Sequence, residues 1–162
     1  MDTEFERKFL VTDAAPSAQW PAEELDQGYL FSAVGYALRV RIARAAEREA
    51  VCTMTLKGPR SGLGRPEAEW EIPAADADQL LERSHNRVTK RRHTRHADGL
   101  MWTVDVFSGT NAGLVLAEIE GSEAAVAGVE LPEWLGREVT EDVRYTNASL
   151  AEKPFSQWGS QA

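Results

Sequence analysis

The sequence predicts an α+β protein that is mainly antiparallel β, with eight strands and a few helices. Three observations carry that prediction. Charged and apolar residues alternate with period two in segment after segment, the repeat of a strand with two unlike faces. Turn-forming residues punctuate these segments, among them Asp98-Gly99, a hairpin signature. The chain has 162 residues and 43% hydrophobic content, enough for one domain with its own core.

Taken in order, the first strand runs from Glu4 to Val11. Glu4, Glu6 and Lys8 share one face, and Phe5, Arg7 and Phe9 the other. Thr12 to Asp26 contains Pro16 and Pro21 and reads as a loop with a short helical turn at Ala22–Leu25. Gln27 to Phe31 is a short second strand, which Gly35 ends. Tyr36 to Ala45 is the third, with Arg39 and Arg41 opposite Leu38, Val40 and Ile42. Glu49 to Lys57 is the fourth, with Thr53, Thr55 and Lys57 opposite Cys52, Met54 and Leu56. A Gly- and Pro-rich loop follows from Gly58 to Gly64. Arg65 to Ile72 is the fifth strand, where Arg65, Glu67, Glu69 and Glu71 share a face.

Ala74 to Arg83 has the spacing of a helix, with Asp76 as its cap and Leu80 and Leu81 facing inward. Arg87 to Arg95 is the sixth strand and Met101 to Phe107 the seventh. Leu114 to Glu120 is the eighth, with Glu118 and Glu120 on one parity. Ser122–Ala127 and Asn147–Glu152 are short helices. Pro132 to Gly136 turns the chain. The domain is expected over residues 1–152, with a loose tail over 153–162.

Composition narrows the class. A net charge of −8 excludes a broad nucleic-acid surface but allows a polyanion in a local basic pocket. No apolar run reaches the length of a membrane span. A patterned strand begins at once, so no signal peptide is expected. Cys52 is the only cysteine, which removes an intramolecular disulfide and a multi-thiolate zinc cage. The cytoplasm is the default location.

The charged parity is the informative feature. Its acids are Glu4, Glu6, Glu67, Glu69, Glu71, Asp105, Glu118 and Glu120, and its bases Lys8, Arg39, Arg41, Lys57, Arg65, Lys90 and Arg92. Two arrangements satisfy it. An open antiparallel sheet would give this face to water, which is common strand by strand. The dense charge, with so few Ser, Gln or Asn beside it, favours closure of the strands into a barrel with the charge inside. There each ion needs a partner, a metal or a ligand. Carboxylates at strand spacing suit a hard divalent cation, and the bases suit phosphate oxygens. Under either arrangement Trp70, Trp102, Phe5 and Phe9 need cover from helices or the C-terminal segment.

Other features have plainer readings. Tyr29 could reach a phosphate but is more at home in a core. The basic run from Arg87 to His96 is split between two faces, and so are His93 and His96. Cys52 reads as a buried thiol, and Trp134 as a packing residue.

In this order the motifs resemble the CYTH superfamily, the triphosphate tunnel metalloenzymes, and most closely its small single-domain bacterial branch. The resemblance rests on Glu4-x-Glu6-x-Lys8, Gln27-Gly28-Tyr29-Leu30, Leu38-Arg39-Val40-Arg41, Thr55-Leu56-Lys57 and Arg65-x-Glu67-x-Glu69. It continues through Lys90-x-Arg92, Asp105-Val106-Phe107, Glu118-Ile119-Glu120, Glu138 to Asp142 and Arg144-Tyr145-x-Asn147. It implies a closed eight-stranded β-barrel, a tunnel with a charged lumen and a few covering helices. It implies hydrolysis of inorganic tripolyphosphate or another small triphosphate, nucleoside or thiamine triphosphate included, with Mg²⁺ or Mn²⁺. By the same resemblance Lys8, Tyr29, Arg39, Arg41, Lys57, Arg65, Lys90 and Arg92 bind substrate. Glu4, Glu6, Glu67, Glu69, Asp105, Glu118 and Glu120 hold metal, and Glu4, Glu6 and Lys8 are catalytic. Two rivals stand beside it: cyclisation of ATP to cyclic AMP and pyrophosphate, as in class IV adenylyl cyclases, and a non-catalytic polyphosphate- or nucleotide-binding module. No membrane partner is expected, and a homodimer is compatible with the sequence.

Overall fold

The computed structural model describes residues 1–159. Eight strands form the barrel: β1 (Asp2–Val11), β2 (Ala22–Ala33), β3 (Tyr36–Ala45), β4 (Arg48–Lys57), β5 (Gly64–Glu71), β6 (Asn86–Ala97), β7 (Leu100–Phe107) and β8 (Val115–Gly121). Their order is β5-β4-β3-β2-β6-β7-β8-β1, and β1 pairs back onto β5 to close the ring. Every pairing is antiparallel. Closure removes the free edges that an open sheet of this size would leave.

A ninth strand, β9 (Leu135–Glu138), joins β1. The edge of β1 is therefore shared. Asp2 to Phe5 face β5, the Glu6 N–H donates to the Leu63 carbonyl at 3.2 Å, and Phe9 and Val11 face β9. The turn expected over Pro132–Gly136 runs into this strand, and four residues around Gly136 are too few to show a period.

Two other expectations are corrected. Ala22–Leu25 is strand, not a helical turn, because it is paired on both sides. Ala22 faces His93 of β6, and Glu24 faces Arg44 of β3. The helix α1 (Ala74–Arg83) is where its spacing places it, but its cap position is Pro73, and Asp76 sits in the first turn. There its charge still complements the helix dipole.

The outer face of the barrel is greasy and mostly covered. Ala77 and Leu81 of α1 pack on Val40, Ile42 and Cys52. Gly28 makes that approach possible, since a Cβ there would collide with Ser84 Oγ and stand 2.9 Å from Leu81 Cδ2. Val126 of α2 (Glu123–Gly128) packs on Phe9 and Ile119. Ser122 caps α2 by accepting the Ala125 N–H at 3.3 Å. Trp70 departs from the expected cover and stays 46% exposed.

The third apolar cluster sits inside one end of the barrel. Val88, Phe107 and Leu116 share the parity of the lumenal charges, and with Tyr29 and Leu10 they form a collar. Tyr145, and Leu150 and Ala151 of α3 (Asn147–Glu152), fill it. Burying each large side chain in this way contributes about 1.5–3 kcal/mol. The tail expected to be loose is anchored over its described part. Phe155 and Trp158 pack on this cluster, and Trp158 meets Tyr145 edge-on at 5.0 Å. Asn111 ties the ends together, donating to the Leu150 carbonyl and accepting the Phe155 N–H at 2.7 Å. The last three residues of that expected tail lie outside the described residues.

Candidate functional site: a charge-lined tunnel

Cross-strand register gathers the charged parity into rows. Glu6 faces Glu120 and Lys8 faces Glu118 across β1 and β8. Arg39 faces Thr55, and Thr55 faces Glu69, across β3, β4 and β5. Lys57 faces Glu67, and Arg92 faces Asp105. Directly opposed residues in a sheet point to the same side. These rows enclose a cavity of about 490 Å³. Its wall includes Glu4, Glu6, Lys8, Tyr29, Arg39, Arg41, Lys57, Arg65, Glu67, Glu69, Arg92, Glu118 and Glu120. Thirteen of the fifteen residues given a binding, metal or catalytic role by the resemblance thus converge on one space, whereas Glu71, of the same parity, is exposed and outside it. Lys90 and Asp105 are the other two. Each is 1% exposed and neither reaches the cavity wall.

Asp105 lies behind that wall and organises it. Its carboxylate accepts two bonds from Arg92 at 2.7 Å and one from Lys90 at 2.6 Å. Burial pushes its pKa up, but Arg92 and Lys90 outweigh that and hold it below the ordinary aspartate value. Burial, with Arg92 nearby, pulls Lys90 down to about 8 despite Asp105. Asn147 of α3 accepts a further bond from Lys90 at 3.0 Å, which joins the apolar stopper to the ionic wall.

The cavity wall is itself paired. Lys57 bridges Glu4 and Glu67 at 2.6 Å each, and Lys8 meets Glu118 at 3.0 Å. Arg92 reaches Glu118 at 3.1 Å, and Arg41 reaches Glu69 at 3.1 Å. Thr55 donates to Glu69 at 2.7 Å. Burial raises Glu118, but Lys8, Arg92 and Lys90 hold it well below the usual carboxylate range. Burial, and the neighbouring Arg39, drop Arg41 to about 10 in spite of Glu69. Arg65 is braced by backbone, donating to the Gly58 carbonyl at 2.6 Å.

Glu120 breaks the pattern. It has no ion pair among the described residues, and burial followed by the nearby Glu4 pushes it up to about 7. Glu4 is likewise raised, chiefly by burial, despite Lys57. Crowded carboxylates that resist ionisation fit a divalent cation, which would relieve the repulsion. Among the described residues no three acidic, His or Cys side chains are already gathered as a metal cage, because most of these carboxylates are turned onto lysines and arginines. His93 and His96 contribute to none.

The sequence reading missed Arg60. It comes from the Gly-rich loop after β4, lines the cavity and pairs with Glu6. A loop arginine carries no alternation, so nothing marked it. Thr140, Glu141 and Asp142 also line the cavity. They belong to a stretch quoted for the resemblance but given no role. No helix among the described residues is long and apolar enough to cross a membrane.

A closed antiparallel barrel lined by opposed carboxylates and cations defines the class: a charge-lined β-tunnel. The profile of the CYTH domain matches residues 2–155, and the chain belongs to that family. It is 37% identical over 158 residues to an inorganic triphosphatase of Acetivibrio thermocellus, covering 96% of this chain and 97% of that one. It is 39% identical over 153 residues to an inorganic triphosphatase of Nitrosomonas europaea, covering 92% and 97%. The crystal structure of the inorganic triphosphatase NE1496 superposes with a TM-score of 0.64 at 37% identity, covering 93% of this chain and 95% of that one. Metal dependence is a general property of CYTH triphosphatases.

Proposed function

We propose that this protein hydrolyses the terminal phosphoanhydride bond of inorganic triphosphate inside the tunnel, with Mg²⁺ or Mn²⁺. The observation that carries the reading is the lumen: buried rows of guanidinium and ammonium groups face carboxylates that are left partly uncompensated at Glu4 and Glu120. A polyanion and a divalent cation together would satisfy both sets.

Arg39, Arg41, Lys57, Lys8 and Arg92 bind the phosphate chain, with Arg65 and Tyr29 at the wall. Arginine forks suit pairs of phosphate oxygens. Lys90 acts at one remove, by fixing Asp105 and through it Arg92. Glu4, Glu6, Glu118 and Glu120 hold the metal, with Glu67 and Glu69 beside them. Asp105 orients cations rather than binding metal. A divalent cation held by these carboxylates would supply neutralisation of phosphate charge and Lewis-acid polarisation of the phosphoanhydride. The remaining acceleration comes from cations already fixed in a low-dielectric lumen, so little reorganisation is needed as charge develops.

The test is phosphate release from tripolyphosphate, ATP and thiamine triphosphate, each with Mg²⁺ and with Mn²⁺. Tripolyphosphate should be the fastest. Glu4→Gln and Glu6→Gln should each lower kcat roughly a hundredfold or more with the fold intact. Near-normal turnover in both variants would remove the metal assignment. Cyclic AMP and pyrophosphate from ATP would overturn hydrolysis in favour of cyclisation, and metal-dependent binding without release would make the tunnel a binding module.

A further inference from the structure

With Glu120 set aside, most of the lumenal carboxylates are met by cations borne on barrel strands. Glu4 and Glu67 share Lys57, Glu69 faces Arg41, and Glu118 faces Lys8 and Arg92. Glu6 is the exception. It is 7% exposed, and its partner is Arg60, from the loop between β4 and β5. The other end of the same guanidinium donates to the Leu63 carbonyl at 3.2 Å. That carbonyl in turn accepts the Glu6 N–H, so the loop is docked where β1 passes from β5 to β9.

The backbone beneath a strand-borne cation is held by the ladder on both sides. That of Arg60 is not. The ladder contacts of its loop stop at Gly58, which donates to the Pro66 carbonyl, and at the Ser61–Gly64 bridge. Pro59 and Arg60 lie between the two and belong to neither. Gly62, at φ +59°, has open space around the position of a Cβ. On leaving Glu6 the guanidinium gives up that ion pair and its bond to the Leu63 carbonyl, and no strand pairing. Glu6 is also the carboxylate that faces the unpaired Glu120 across β1 and β8. A divalent cation drawn to that pair would compete directly with Arg60, since two cations repel strongly at one buried carboxylate.

We propose that Arg60 is an exchangeable counter-ion: it neutralises Glu6 while no divalent cation is bound, and passes its guanidinium to a phosphate oxygen when a divalent cation takes Glu6. The inference rests on the metal and triphosphate reading above. It makes metal and substrate binding mutually reinforcing, because the metal releases a phosphate-binding group.

The test titrates the full chain with Mn²⁺ alone, following the resonance of the free ion. It is then titrated with a hydrolysis-resistant imido analogue of tripolyphosphate at saturating Mn²⁺. Wild type, Arg60→Gln and Arg60→Lys are compared. Arg60→Gln should bind Mn²⁺ alone about tenfold more tightly and the analogue about tenfold more weakly. Arg60→Lys should follow wild type within about threefold in both. Opposite signs are the signature, since a merely structural lesion would weaken both ligands. If wild type binds both and Arg60→Gln leaves Mn²⁺ affinity unchanged or lower, or leaves analogue affinity unchanged, the exchange is overturned. If wild type binds neither, the tunnel reading falls, and the role of Arg60 with it.

Discussion

Asp105 has the sequence context of a metal ligand and the surroundings of a structural one. Its oxygens are occupied by Arg92 and Lys90 at 2.6–2.7 Å, and the side chain is 2% exposed. Asp105→Asn should therefore leave two buried cations short of charge and cost about 3–5 kcal/mol in urea denaturation, even in chelator. A loss below about 1 kcal/mol would return Asp105 to the metal set. Glu120 makes the opposite prediction. Its pKa is about 7 in the fold and near 4.5 in the unfolded chain. The fold thus binds the extra proton between those values, and stability falls as pH rises through that window. Above it the penalty is complete. In chelator, Glu120→Gln should raise Tm at pH 8 and leave it nearly unchanged at pH 4. An equal gain at both would show that charge is not the cause. Alternation alone brought Glu4, Glu6, Lys8, Glu118 and Glu120 onto one face. It could not distinguish Asp105 from them, because burial behind a wall leaves no mark on parity.

At the scale of elements, strands with an ionic face and an apolar face were legible, and those that owe their form to neighbours were not. The first half of β2 holds Glu23 and Glu24 after a proline, and its propensity is poor for a strand. Pairing to β3 and β6 overrides that, and the two acids find Arg48 and Arg91 across the sheet. β9 lies along the half of β1 that β5 leaves unpaired. The segment after α3 is the third case. Its spacing carries no signal, yet Phe155 and Trp158 complete the stopper. Truncation after Glu152 should cost on the order of 2–3 kcal/mol in chemical denaturation. A truncated chain as stable as the full one would restore the earlier boundary.

At the scale of the molecule, a net charge of −8 coexists with a wall rich in arginine and lysine. The average hides the site, and only the register of the strands uncovers it. The same ring closure has a further consequence for how the chain assembles. The opening segment needs residues 64–67 on one flank, 116–121 on the other and 135–138 beside them. Residues 2–11 precede all of these partners in the chain, so their pairing is complete only after residues 135–138 have been made. Until then their amides bond to water, and Glu4 and Glu6 are solvated. The pairing of residues 2–5 with residues 64–67 closes the ring, so the lumen is enclosed only where distant stretches of the chain have met.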